Sequence, residues 1–383
     1  MKGIMMDYTK LKIENREKIN QYATALQYGE VDFYPAYIQL EQTNRCNAEC
    51  IMCNHFYLGN RGCGDLSETV IEKIQPILPY CQTIMLNGDG EPFLCRTIEK
   101  NIKCYAQYGI KVGTNTNFCF VPESLWPYFA DTFAFLNISC DGATSQTFEM
   151  IRRGLKFKQF LANISLLNDV APNLIKNFDC VVTKQNLREL PDIVRIAGTY
   201  GVRSVRFHRL GVNPFIANES DQVEYYYDLL DEMLQLAEKT AHEIGVVISY
   251  PKYQRPLKQL DLPLKEDMFR EIEKRKVAAL DRTRSVTLQD DYYSEKVMDK
   301  DLFCRLWNAG KVCQWAIERC YIDINGNVST CCFNMKKNMG SLMEHTFDEI
   351  WNGDEYVAFR KNMAKHLLPD FCRQCNWIKE SRF

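Results

Sequence analysis

Cys46, Cys50 and Cys53 form a CxxxCxxC that begins just after the apolar stretch Ala36 to Leu40 gives way to Glu41, Gln42 and Thr43. Three thiolates this close, on a loop leaving a strand, can hold three irons of a cubane cluster. The fourth iron is then open to a substrate or cofactor. Zinc is the competing chemistry, but structural zinc closes on four ligands, commonly as two CxxC pairs, whereas this run offers three thiols.

Two more stretches could do chemistry. Thr83 to Asn87 is apolar and strand-like and ends in the turn Gly88, Asp89, Gly90, Glu91. Glycine lets a backbone come close to a ligand, and a carboxylate accepts from a cation. Leu136 to Thr144, containing Ser139, Cys140, Asp141 and Gly142, is followed by Ile151, Arg152, Arg153 and Gly154. In order and spacing these three stretches resemble the radical S-adenosylmethionine (SAM) superfamily, in which the amino and carboxylate groups of SAM chelate the open iron. The resemblance implies a 4Fe–4S cluster on Cys46, Cys50 and Cys53. It also implies that Gly88, Asp89, Gly90 and Glu91 hold the methionine amine, with Asn117 and Ser139 placed to reach the ribose or carboxylate. Read locally, Asn117 and Ser139 serve equally well as turn or cap residues. Met52 stands where many relatives carry an aromatic that touches adenine. Arg152, Arg206 and Arg209 could anchor an anion bidentately or form ordinary salt bridges.

A second cysteine group lies near the C terminus: Cys313, Cys331 and Cys332, and the CxxC of Cys372 and Cys375. Asn325-Gly326 is a hairpin signal that returns Cys331 beside the preceding strand. This part, with Gly340 to Leu342 and Glu349 to Asn352, is similar to the SPASM and Twitch extensions, which bind auxiliary 4Fe–4S clusters. With no thiol after Cys375, one auxiliary cluster is expected, on Cys313, Cys331, Cys372 and Cys375. Cys320 and Cys332 are rival ligands. Adjacent strand residues face opposite ways, and the resemblance favours Cys331, which has the Gly-x4-Cys spacing of those extensions. Zinc on the same four thiols is the alternative. Cys63, Cys81, Cys95, Cys104, Cys119, Cys140, Cys180 and Cys304, with Cys320 and Cys332, read as small buried residues. Cys119, Cys140 and Cys180 also lie near strand ends, where a thiol could return a hydrogen atom in an epimerase.

The elements that must position these residues are βα units. Six strands are expected at Tyr37 to Glu41, Thr83 to Asn87, Lys111 to Thr114, Phe133 to Ser139, Phe178 to Val182 and Val205 to His208. Between them Leu66 to Leu78, Arg96 to Tyr108, Glu123 to Ala130, Phe157 to Leu167 and Leu187 to Tyr200 have apolar residues at helical spacing. The pattern predicts an α/β fold, a partial (βα)6 TIM-type barrel with a small C-terminal iron–sulfur domain. All three motifs fall at C-terminal strand ends, where such folds place their chemistry. The expected divisions are an N-terminal helical leader at 1–35, the barrel at 36–211, a connecting or substrate-covering region at 212–312, and the auxiliary domain at 313–383. The third part opens with a helix, Glu224 to Ile244, whose Leu229, Leu230, Met233, Leu234, Leu236 and Ala237 share a side. A possible strand follows at Val246 to Tyr250, and then a charge-rich stretch, 252–301, reads as a solvated connection.

With 383 residues, 46% hydrophobic content, 47 Lys plus Arg against 49 Asp plus Glu and a net charge of -2, the chain carries no electrostatic footprint for nucleic acid or a membrane surface. No apolar run spans a bilayer, and 17 cysteines without a signal peptide point to a reducing cytoplasm. The expected activity is reductive cleavage of SAM to a 5′-deoxyadenosyl radical, hydrogen abstraction, and oxidation or epimerisation of a small polar substrate such as a sugar or cyclitol. The substrate reading leans that way because residues 1–35 are too few for a peptide-recognition domain. A maturase of a ribosomally made peptide or protein is the second reading, and a non-catalytic iron–sulfur or zinc protein the third. An electron donor such as flavodoxin or ferredoxin is the implied partner. No catalytic base or hydrogen donor is legible.

Overall fold

A computed structural model describes residues 7–25, 29–53, 64–211, 221–268, 270–272, 274, 315, 317–332, 338–364 and 372. Its strands, in chain order, are β1 (Tyr37–Leu40), β2 (Glu49–Cys50), β3 (Thr83–Met85), β4 (Lys111–Thr116), β5 (Phe133–Ser139), β6 (Arg152–Arg153), β7 (Ile175–Val182), β8 (Ser204–Arg209), β9 (Val247–Ser249), β10 (Arg319–Ile322), β11 (Asn327–Ser329) and β12 (Asn338–Ser341). One sheet runs in the order β12-β11-β10-β1-β3-β4-β5-β7-β8-β9, and β2 pairs separately with β6. From β10 through β9 every neighbouring pair is parallel. The expected α/β partial barrel is present, and the possible strand near residue 247 adds to its far edge. β12 and β9 stand at the two ends of the order, so among the described residues the sheet is open.

The C-terminal hairpin is not a separate sheet. β10 lies parallel to β1, with Tyr37 opposite Arg319 and Leu40 opposite Ile322. A strand edge leaves backbone donors and acceptors unpaired, and β10 satisfies that edge of β1. The turn is the expected one: Gly326 has φ +82°, its N–H donates to the Asp323 carbonyl, and β11 returns antiparallel.

Side chains alternate across the sheet with the period of two that an extended chain imposes. One face is fully buried and carries Ile38, Leu40, Ile84, Leu86, Val112, Leu136, Ile138, Phe178, Cys180 and Val205. The other face is polar. Asn115, Asn137, Asn177 and Ser204 are cross-strand neighbours on β4, β5, β7 and β8. They form a chain of side-chain hydrogen bonds: Asn137 to Asn115 at 2.8 Å, Asn177 to Asn137 at 3.2 Å and Ser204 to Asn177 at 2.8 Å. Parallel sheets with both faces covered are apolar on both. This one keeps a polar inner face.

The helices are α1 (Thr9–Ala25), α2 (Glu68–Ile74), α3 (Ile98–Gln107), α4 (Ser145–Ile151), α5 (Phe157–Val170), α6 (Leu190–Thr199), α7 (Tyr227–Ile244), α8 (Phe347–Trp351) and α9 (Asp354–Ala364). Prolines trim two expected helices. Pro76 and Pro79 turn the end of the 66–78 stretch into a 3-10 segment after Ile74, and with Pro127 inside it the Glu123–Tyr128 stretch is 3-10 throughout. On α7, Leu230, Met233, Leu234 and Ala237 are buried as expected, but Leu236 points outward. α1 seals the N-terminal ends of the strands: Asn15 exchanges hydrogen bonds with the Tyr34 backbone, and Arg16 binds Gln82 and pairs with Glu318.

The described part of the charge-rich stretch is docked at some positions and solvated at others, with Leu257 and Leu264 exposed. Lys265 pairs with Glu189 at 2.8 Å, and Lys184, 4% exposed, pairs with both Asp221 and Glu271 at 2.9 Å. Leu260 and Leu262 pack on the core. The remainder of that stretch lies outside the described residues.

Candidate functional site

The loop after β1 is fastened on three sides. Arg45 binds both oxygens of Asp65 and the Leu94 carbonyl. Ile51 N–H donates to the Ile151 carbonyl, and Cys50 sits opposite Arg152 in the short antiparallel β2–β6 pair. Asn117 donates from its amide to Asn47 Oδ1 at 2.8 Å, tying the end of β4 to the segment between Cys46 and Cys50.

Cys50 is buried, and Cys46 and Cys53 are half-buried. Burial, reinforced by Glu91 and the two neighbouring thiols, pushes Cys46 up to about 12; burial pushes Cys50 up to about 11, opposed by Arg152. All three sulfurs therefore feel one another, yet among the described residues no three metal-capable side chains are already closed around a point. The donor set fits a cluster. It offers soft sulfur on one loop, a nearby guanidinium to offset thiolate charge, and no fourth protein donor among the described residues. Binding iron would displace the thiol protons, which couples assembly to pH. His55, two residues past Cys53, is an imidazole that could complete a zinc site with the three thiols, and it lies outside the described residues.

The turn at 88–91 packs tightly against this loop. A Cβ on Gly88 would sit 2.3 Å from the Glu41 carboxylate, and one on Gly90 would sit 2.4 Å from the Arg45 carbonyl and 2.6 Å from that of Thr43. These glycines make room for protein as much as for a ligand. Glu91 is 3% exposed and its carboxylate is engaged: Oε1 accepts from the Thr116 hydroxyl at 2.6 Å, Oε2 from the Asn117 N–H at 2.7 Å. Burial raises it to about 7. Glu91 thus holds the end of β4. Asn117 acts as a positioning residue, its Oδ1 accepting from Cys119 N–H. Ser139 is half-buried at the end of β5, opposite Asp179 in the sheet register.

Glu41 carries no sequence signal and is central. It is 4% exposed, accepts from Asp89 N–H at 2.7 Å and faces Ile324 N–H at 3.3 Å. It therefore joins the 88–91 turn to the C-terminal hairpin. Burial lifts its carboxyl to about 7, with Asp89 and Asp323 adding to the rise.

The three candidate anion-binding arginines are all paired. Arg206 binds Asp179 through two nitrogens at 2.7 and 2.8 Å, with His208 on the same carboxylate; Arg209 pairs with Glu224 at 2.9 Å; Arg152 pairs with Asp141 at 2.5 Å.

At the second cysteine group, Cys331 lies within electrostatic reach of Tyr356 on α9, and Cys332 within reach of Tyr37 and Tyr321. Cys372 is buried. Cys313 and Cys375 lie outside the described residues. Cys320 is fully buried near Cys81, on the apolar face. Cys140 and Cys180 are likewise fully buried, and Cys119 is near Cys50 and Glu91. The 349–352 stretch is a clamp: Trp351 Nε1 donates to the Phe33 carbonyl, Asn352 exchanges hydrogen bonds with Val31, and Arg360 stacks 4.2 Å over Trp351.

Residues 313–376 match the model of SPASM, an iron–sulfur cluster-binding domain. Over 356 residues, 89% of this chain and 87% of that protein, the chain is 20% identical to the tungsten-containing aldehyde ferredoxin oxidoreductase cofactor-modifying protein of Pyrococcus furiosus. It is 28% identical over 179 residues, 46% of this chain and 47% of that one, to the mycofactocin maturase MftC of Mycobacterium ulcerans. A stretch of 59 residues, 14% of this chain and 24% of that one, is 34% identical to the S-adenosyl-L-methionine-dependent 2-deoxy-scyllo-inosamine dehydrogenase of Niallia circulans. Among solved structures, Streptococcus suis SuiB bound to S-adenosylmethionine superposes with a TM-score of 0.60 at 14% identity, over 96% of this chain and 78% of SuiB; SuiB is also known bound to its precursor peptide SuiA. Among the described residues no helix is long and apolar enough to cross a membrane.

Proposed function

We propose that the chain, whose residues 313–376 match an iron–sulfur cluster-binding SPASM model and whose fold is that of SuiB, is a radical SAM maturase that oxidises a peptide or protein substrate lying across the polar inner face of its open sheet. When bound, the cluster on Cys46, Cys50 and Cys53 supplies the electron that splits SAM into methionine and a 5′-deoxyadenosyl radical able to take hydrogen from substrate carbon.

The observation that carries the substrate reading is the unclosed sheet with its amide ladder. Asn115, Asn137 and Asn177 present the same donors and acceptors as a peptide backbone, and among the described residues no strand pairs β12 to β9, so an extended segment can enter from the side. SuiB with SuiA and the maturase MftC accord with it. This reverses the order of the two substrate readings. A hydroxylated small molecule remains the second, carried by the short match to a dehydrogenase and by the same polar ladder.

Oxidation is favoured over epimerisation. Returning a hydrogen atom needs a thiol at the inner face; Cys140 and Cys180 are fully buried, with the Cys180 side chain among the apolar core residues, which leaves half-buried Cys119, near Cys50, as the one of the three candidates an epimerase would use. A second cluster on Cys313, Cys331, Cys372 and Cys375 would instead take an electron away. Gly88 to Gly90 would hold the methionine amine through carbonyls, while Glu91 and Asn117 fix the loops around it.

The test is anaerobic reconstitution with iron and sulfide, followed by assay of 5′-deoxyadenosine release under dithionite. About eight irons per chain are expected, with about four retained and cleavage abolished when Cys46, Cys50 and Cys53 become Ala. No cleavage under any reductant overturns the proposal. Loss of two hydrogen masses from a peptide encoded beside the gene would support the maturase reading; the same loss from a cyclitol alone would overturn it in favour of the second.

A further inference from the structure

A cation is built into the candidate cluster site. Arg152 is 9% exposed, and its Nη1 donates to Cys50 Sγ at 3.7 Å while its Nη2 pairs with Asp141 Oδ2 at 2.5 Å. Asp141 is fully buried and anchored in turn, its Oδ1 accepting from Val181 N–H at 2.6 Å. The guanidinium has no freedom to swing away. Arg152 and Cys50 are register partners across β2 and β6, and Asp141 sits just beyond the end of β5. Burying a guanidinium costs several kcal/mol unless its charge is met. One carboxylate meets it from one side. On the other side the partner is a sulfur that becomes fully anionic when it binds iron.

We propose that Arg152 is a positioning residue that sets the reduction potential of the cluster ligated through Cys50, with Asp141 as its counterweight. The inference rests on the reading of Cys46, Cys50 and Cys53 as cluster ligands. A hydrogen bond and a positive charge at a ligating sulfur favour the reduced cluster, which carries one more negative charge, and so raise its potential. Arg suits the task better than Lys because its rigid fork serves sulfur and carboxylate at once and it stays charged when buried. Asp141 works in the opposite sense by drawing the guanidinium's charge toward itself. The two residues should therefore move the potential in opposite directions, which a merely structural pair would not do.

The experiment is an EPR-monitored potentiometric titration of the reconstituted full chain, without SAM or substrate, with the auxiliary signal as internal reference. In Arg152→Met the ratio of reduced to oxidised cluster at fixed potential should fall about tenfold, a shift of about 59 mV downward for one electron. Arg152→Lys should fall between Met and wild type, and Asp141→Asn should shift upward. The auxiliary potential should not move. Unchanged potentials in Arg152→Met and Asp141→Asn, or shifts of the same sign, overturn the inference while leaving the family reading intact. Should Arg152→Met fail to hold iron because Asp141 is left unpaired, Asp141→Asn decides alone: an upward shift supports the role, and an unchanged or lowered potential overturns it. Failure of the wild type to take up a cluster at Cys46, Cys50 and Cys53 overturns the parent reading itself.

Discussion

Glu41→Gln should stabilise the protein by an amount that grows as pH rises from about 5 to 7 and then levels off. The carboxyl is 4% exposed and its folded value is about 7, raised by burial from 4.5. The direction follows from linkage. Below pH 4.5 Glu41 is protonated folded or unfolded and costs nothing. Between 4.5 and 7 the unfolded chain releases the proton while the folded chain keeps it, so stability falls as pH rises. Above 7 the loss saturates at about 3 kcal/mol, from 1.36 kcal/mol per unit over that interval. Glutamine removes this loss and keeps an acceptor for Asp89 N–H. Its second atom becomes a donor facing Ile324 N–H, a contact of 3.3 Å whose loss costs about 1 kcal/mol. The net expectation is a gain of about 2 kcal/mol at pH 8 and about zero at pH 5. Anaerobic urea unfolding of both proteins at pH 5, 6, 7 and 8 measures the difference directly, with the titrations common to both cancelling. A difference that does not change with pH, or a variant weaker at pH 8 than at pH 5, would refute the argument that Glu41 is held neutral between the turn and the hairpin.

Gly90→Ala places a methyl 2.4 Å from the Arg45 carbonyl; the protein should fold by circular dichroism but lose SAM cleavage at least about tenfold, equivalent to about 1.4 kcal/mol of barrier. Arg360→Met removes donors to the Trp351 and Gly29 carbonyls at 2.7 and 3.1 Å and a ring contact; thermal unfolding should show a loss of about 3 kcal/mol. Glu189→Gln leaves Lys265 without its carboxylate and weakens the acceptor of Ala143, Thr144 and Thr147; the expected cost is about 3 kcal/mol, with faster proteolysis within residues 251–268 as the second readout.

The cysteine loop and the βα order were legible because both are written in local spacing: three thiols within eight residues, and apolar runs whose period switches between two and 3.6. What local pattern cannot carry is the identity of a partner distant in sequence. Gly88 reads as room for a ligand, yet the atom nearest its absent Cβ belongs to Glu41. Glu41 itself reads as the polar end of a strand, since nothing nearby announces that Asp89 and Ile324 will converge on it. Arg206 reads as a free anchor until Asp179 is found beside it on β7. The charges of Lys265 and Glu271 read as surface because the residues that meet them, Glu189 and Lys184, lie in another βα unit. Proline was the local signal underweighted: Pro76, Pro79 and Pro127 stop helices that apolar spacing alone would extend.

The pairing of β10 with β1 also dictates when the molecule can be finished. Tyr37 and Arg319 are opposite one another, so 282 residues (319 − 37) separate the partners along the chain. At synthesis rates of roughly 5–20 residues per second, the edge of β1 waits on the order of 15–60 s on the ribosome for its neighbour. During that interval a buried, apolar strand next to three unligated thiols presents an open edge, the feature most prone to pair with another chain. Cluster insertion before β10 arrives would load iron into a barrel still exposed on that side. A nascent chain of this design therefore benefits from being held until about its last sixth emerges. Stopping the chain before residue 319 would remove Cys331, Cys372 and Cys375 and also leave the first strand of the barrel without its cover.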